Sequence, residues 1–72
     1  MIRLTKKQAE AVFAFAECDM KSYPAARAVH KGYSTFYGIL SEIKDTTGLN
    51  PLSFWDLVEL AEAAREVIYG KA

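Results

Sequence analysis

The 72-residue sequence predicts an all-α fold of four helices. Three observations carry that expectation. Ala, Leu, Glu and Lys are common while runs of β-branched residues are absent, a composition that favours helix over strand. Apolar residues recur at i, i+3, i+4 spacing, the period of one helix face. Capping and breaking residues divide the chain into four pieces. The length allows one small domain over residues 1–72, too small to hold a deep catalytic cleft.

The first helix is expected at about 5–18. Thr5 opens it, with Gln8 three residues on in capping-box spacing. Ala9, Val12, Phe15 and Ala16 share a face, and Phe13 points off it, so this helix is apolar on more than one side. The second is short, about 22–30. Ser22 is placed to cap it, and Pro24 fits its first turn. The adjacent Ala25 and Ala26 permit close approach of another helix. His30 at its end suits the negative pole of the helix dipole.

Lys31-Gly32-Tyr33 break the chain, and Ser34 is placed to cap a third helix over 34–47. At about 100° per residue, Phe36, Ile39, Leu40, Ile43 and Thr47 share its inner face. Ser34, Tyr37, Gly38, Ser41 and Asp45 point outward, and Gly48 supplies a left-handed C-terminal cap. Asn50-Pro51 precede a second capping box, Ser53 with Asp56, which starts a helix over 53–69. Phe54, Leu57, Val58, Leu60, Ala61, Ala64, Val67 and Ile68 give that helix a stripe about 200° wide, beyond the usual one-sided stripe. Asp56, Glu59, Glu62 and Glu66 lie opposite.

A short helix, a glycine-containing turn and a second helix with a polar outer face form a helix-turn-helix pattern of the homeodomain-like or Fis-like sort. In that motif the second helix enters the DNA major groove. Nine Lys+Arg balance nine Asp+Glu, yet the halves differ: residues 1–36 carry +3 and residues 37–72 carry −3. Neutrality overall therefore does not exclude a polyanion at the first half. One cysteine, Cys18, cannot form an internal disulfide framework. No apolar run approaches the roughly 18 residues of a membrane span, and the N-terminus does not lead into a signal-peptide core. A soluble cytoplasmic protein without metal, cofactor or small-molecule substrate is expected. No acid/base pair, nucleophile or metal-ligand spacing points to an enzyme.

From Ala25 onward the residues fall on a more specific pattern. Ala25, Ala26, Arg27, His30, Thr35, Leu40, Ile43, Thr47, Gly48 and Leu49 keep its spacing without a gap. Val29 stands where it has Leu, and Asn50 where it has Asp. On these residues the chain resembles the C-terminal helix-turn-helix domain of PucR-type bacterial transcription regulators, a group that includes the sugar-diacid regulators. The resemblance covers about residues 20–65. It implies DNA binding and transcription regulation, with helix 34–47 in the major groove. The chain departs from the family at its basic positions. Gly32-Tyr33-Ser34 replace His-Arg-Asn, Tyr37-Gly38-Ile39 replace an Arg-Tyr-Arg cluster, and Ser41 and Glu42 stand where arginines are frequent. The resemblance covers only that family's C-terminal domain; its large N-terminal sensing region is not among these 72 residues.

The candidate DNA-binding residues are Ser22, Tyr23, Arg27, Lys31, Tyr33, Ser34, Thr35, Tyr37, Gly38, Ser41 and Lys44. Their hydroxyls suit phosphates or base edges, Tyr37 a thymine methyl, and the cations phosphates. The surplus apolar stripe predicts an oligomer interface at Phe13, Trp55, Leu60 and Val67, with a homodimer as the expected partner. The alternative reading is a scaffold that has lost DNA binding and serves as a protein–protein interaction module. DNA binding requires Lys21, Arg27, Lys31 and Lys44 to share a face with Tyr37, whereas scattered lysines favour the interaction reading.

Overall fold

The computed structural model describes residues 2–70, which form four helices: α1 (Lys6–Glu17), α2 (Ser22–Ala28), α3 (Tyr33–Thr47) and α4 (Phe54–Tyr69). Among the described residues there is no strand. Helix α1 is the hub, because α2, α3 and α4 all pack on it. That is why α1 is buried on more than one side, with Ala9, Ala11, Val12, Ala14 and Phe15 all in the core. Helix α2 also packs on α3, whereas α4 lies along α1 alone. The Cα radius of gyration is 10.8 Å, close to the ~11 Å of a folded chain of this length.

Side-chain size sets these contacts. Small residues (Ala9, Ala11, Ala14, Ala25, Ala26 and Ala64) are buried where helix backbones approach. Phe15 and Phe36 meet across α1 and α3 with ring centroids 6.1 Å apart. Leu40, Ile43, Leu60, Val12 and Pro51 fill the remaining centre. Pro51 belongs to the loop after α3, so this loop closes the core as well as connecting helices.

Each helix end has a local cause. At α1 the expected capping box forms: the Gln8 N–H donates to Thr5 Oγ1 and the Thr5 N–H to Gln8 Oε1, both at 3.1 Å, an arrangement stabilising by about 1 kcal/mol. The Gln8 amide then donates to Glu42 at 3.2 Å, tying α1 to α3. Helix α1 ends with Asp19 and Met20 both at positive φ. The Met20 N–H reaches the Phe15 carbonyl at 2.9 Å and the Asp19 N–H the Ala16 carbonyl at 3.3 Å, the bonds of a Schellman ending.

Three expected caps differ. Lys21 rather than Ser22 caps α2, because the Lys21 carbonyl already accepts the Ala25 N–H at 3.2 Å. Helix α2 stops at Ala28, two residues before His30. A second Schellman ending closes it there, with His30 at φ 58° and the Lys31 N–H bonded to the Ala26 carbonyl at 2.9 Å. Helix α3 starts at Tyr33, one residue early, with Gly32 as its cap and Ser34 already helical. The second capping box also fails to form. Ser53 caps α4 with no side-chain bond, since the Asp56 carboxylate is occupied by the Asn50 N–H at 3.0 Å.

The α3–α4 loop is fixed by its own side chains. Gly48 takes the left-handed conformation, φ 79°, and its N–H reaches the Lys44 carbonyl at 2.9 Å. Thr47 Oγ1 donates to the Ile43 carbonyl and accepts from the Leu49 N–H. Asn50 Oδ1 accepts from the Leu52 N–H at 3.1 Å, an Asx-turn that Asp would make equally well. Thr47-Gly48-Leu49-Asn50 is therefore a loop-building motif.

Candidate nucleic-acid interface and apolar groove

The start of α2 and the start of α3 meet through three tyrosines. Tyr23 and Tyr33 lie with ring centroids 5.6 Å apart, and Tyr33 and Tyr37 with centroids 5.1 Å apart and planes at 76°. All three are exposed. The Tyr33 phenol is held above its ordinary pKa, first by loss of solvent among its neighbours, then by a hydrogen bond and repulsion from Tyr37, then by Tyr23. It therefore stays a neutral donor at any physiological pH.

The rest of the expected surface divides around this ladder. On α3, Tyr33, Tyr37, Ser41, Lys44 and Ser34 fall on one flank at 100° per residue. A shallow groove confirms part of that grouping, since Tyr37, Ser41 and Lys44 line it with Leu52 and the Asn50–Pro51 turn. Arg27 follows Tyr23 by one turn of α2 and is exposed. Thr35 is exposed too, but on the opposite flank of α3 with Glu42. Ser22 and Lys31 are half-buried at the two ends of α2. The structure thus gathers Tyr23, Tyr33, Ser34, Tyr37, Ser41 and Lys44 and leaves Thr35 apart. Of the two acids on α3, Glu42 is turned toward α1 by Gln8, whereas Asp45 is exposed on the outer face beside Ser34 and Ser41.

Gly38 lies on the outer face of α3, and a Cβ built there meets nothing within 4 Å. Mid-helix glycine costs about 0.5–1 kcal/mol relative to alanine. Gly38→Ala should therefore raise the melting temperature by roughly 3–8 °C in a thermal scan. An unchanged or lower value would show that the glycine serves the isolated fold.

A second surface lies between α1 and α4. Phe13, Ala16, Met20, Phe54, Leu57, Val58 and Ala61 line an apolar groove of about 500 Å³, with Asp19, Glu62 and Arg65 at its edge. Tyr69 closes the far end against Phe13, ring centroids 5.8 Å apart. Trp55, 76% exposed, stands at the other end with its ring 4.9 Å from Phe54. The four expected interface residues separate here. Phe13 lines the groove and Trp55 flanks it, but Leu60 is fully buried in the core and has no surface to offer a partner. Val67 is exposed on the other flank of α4, about 180° around from Val58. The sequence stripe was too wide to show which of its edges α1 covers.

Cys18 is half-buried against the core. Among the described residues, no three His, Cys, Asp or Glu side chains are placed to hold a metal ion, and no helix is long and apolar enough to cross a membrane. No protein-family model matches this chain, and no match is found among curated proteins or solved structures.

Proposed function

We propose that this domain is a helix-turn-helix of the homeodomain-like or Fis-like sort, in which α2 and α3 form the motif, and that it binds DNA as a small transcription regulator. Helix α3 enters the major groove, and the likeness to PucR-type regulators fits that reading. The observation that supports it most is the joined surface at the α2–α3 start: three exposed tyrosines in mutual contact, flanked by Ser34, Ser41 and Lys44, with Arg27 one turn away. Phenols and hydroxyls of this kind donate to phosphates and base edges. Arg27 and Lys44 supply the electrostatic attraction. Glu59, Glu62 and Glu66 sit on α4, which does not pack against α2 or α3, while the Asp56 carboxylate near that face is held by the Asn50 N–H; Asp45 is the exposed acid on α3 itself.

One domain with so few cations binds weakly, and a dimer would compensate by engaging two half-sites at once. The competing reading keeps the tyrosine surface but assigns it to a protein partner. It draws on the missing arginines and on the fact that the motif residues shared with the PucR pattern are largely scaffold: Ala25, Ala26, Leu40 and Ile43 are core, while Thr47 and Gly48 build the loop.

Titration of mixed-sequence duplex DNA at low salt, repeated at increasing salt, decides between them. DNA binding predicts an affinity that falls steeply and log-linearly with salt. No association at low salt would remove the regulator reading, because the non-specific electrostatic attraction is strongest there.

A further inference from the structure

We infer that the α1–α4 groove is the seat of a two-fold homodimer in which Trp55 of each copy fills the groove of the other. The inference rests on the dimeric reading above and supplies its geometry.

Three observations point to a second copy of this chain. First, anchor and socket lie side by side on one surface. Trp55 projects into solvent beside Phe54, and Phe54 forms one wall of the apolar groove. An isologous contact needs both halves on the same patch, because each patch meets itself. Tryptophan seated in an apolar pocket is also the commonest kind of interface anchor.

Second, the groove edge carries both signs of charge, Asp19 and Glu62 with Arg65, and the chain has a formal net charge of zero. Arg65 of each copy is then available to Glu62 of the other across a two-fold axis, offsetting Glu59 and Glu66, which share the Trp55 face of α4. A groove for a strongly basic or acidic segment would carry one sign. The carboxylates also provide acceptors for the indole N–H of an inserted Trp55, which needs a partner once buried.

Third, the exposed area suits a dimer. Aromatic side chains each present about 150–250 Å² when free. At 56% exposure for Phe54, 76% for Trp55 and 67% for Tyr69, these rings with Val58 leave on the order of 400–500 Å² uncovered. The remaining groove walls add little, since Phe54 and Val58 are already counted and Leu57 is buried, so each copy offers on the order of 600 Å², the low end for a stable interface. Since α4 packs on α1 alone, this contact leaves the α2–α3 surface free.

The test is sedimentation equilibrium of the full chain without DNA, combined with intrinsic fluorescence over the same concentrations. Trp55 is the single tryptophan, so its emission reports its own burial. The expected result is a monomer–dimer equilibrium whose dimer fraction tracks a blue shift and loss of acrylamide quenching. Trp55→Ala and Val58→Glu should each weaken the dimer by at least about 30-fold, with unchanged far-UV circular dichroism. Both positions are exposed, so folding survives the substitutions. A monomer at millimolar concentration would overturn the inference. So would a dimer whose Trp55 stays fully quenchable, or one that needs another protein to fill the groove. Failure here without loss of DNA binding would remove the interface and leave the regulator reading standing.

Discussion

Leu60→Ala should leave the domain largely unfolded at 37 °C. Leu60 is fully buried between α4 and α1, packed with Val12, Phe15 and the other core residues. Truncating a buried leucine costs about 2.7–5 kcal/mol, set by how far the cavity collapses. Collapse is restricted because the buried face of α1 is mostly Ala9, Ala11, Ala14 and Val12, with Phe15 its one long side chain. A single core below about 80 residues supplies roughly 3–5 kcal/mol in total. The loss therefore equals most of the stability available. Urea denaturation at low protein concentration should show the midpoint falling to near zero for Leu60→Ala. Val67→Ala, on the exposed far flank of α4, should lower the unfolding free energy by less than about 1 kcal/mol. A folded Leu60→Ala domain that merely fails to dimerise would place Leu60 at an interface and contradict the packing described.

That contrast shows how far the chain could be read without coordinates. Period alone placed Phe36, Ile39, Leu40 and Ile43 together on α3, because a one-sided stripe has a single way to face inward. Helix α4 offered a stripe of about 200°, and such a helix can roll about its axis without changing its pattern. Only the position of α1 decides that Leu57, Leu60 and Ala64 go inside while Phe54 and Val58 stay out. Capping divides in the same way. Thr5 and Gln8 satisfy each other locally, so spacing suffices to find them. Ser53 and Asp56 have the equivalent spacing, but the loop N–H of Asn50 takes the carboxylate first. The end of α1 is legible to within one residue, whereas the end of α2 is hidden because His30 takes the left-handed role usually given to glycine. The tyrosine ladder was half visible. Tyr37 lies on the outer face by helical spacing, but Tyr33 belongs by sequence to the break before α3 and pairs with Tyr37 because α3 starts one residue early. Tyr23 joins them where α2, with Ala25 and Ala26 buried, settles against its neighbours.

The double substitution Arg27→Glu with Lys44→Glu should lower affinity for duplex DNA on the order of 100-fold at low salt. Both side chains are exposed. Lys44 shares a groove with Tyr37 and Ser41, and Arg27 sits one turn beyond Tyr23 on α2. On the DNA-binding reading they would contact phosphates next to the two ends of the tyrosine ladder, Arg27 beyond Tyr23 and Lys44 beyond Tyr37. Each lost phosphate contact should make the dependence of log affinity on log salt shallower by roughly one unit. The double variant should thus lose about two units of slope as well as affinity. Sequence preference should survive in relative terms, because phosphate contacts position the protein and base contacts specify. Tyr37→Phe should behave in the opposite sense, keeping the slope while flattening discrimination between sequences. Glu59→Lys adds a cation to α4, which does not pack on α2 or α3, and serves as a control for net charge. If it raised affinity as much as the double substitution lowers it, attraction would be diffuse and the α2–α3 surface would have no special part. Fluorescence anisotropy with labelled duplexes, run at four or five salt concentrations for each variant, separates these outcomes.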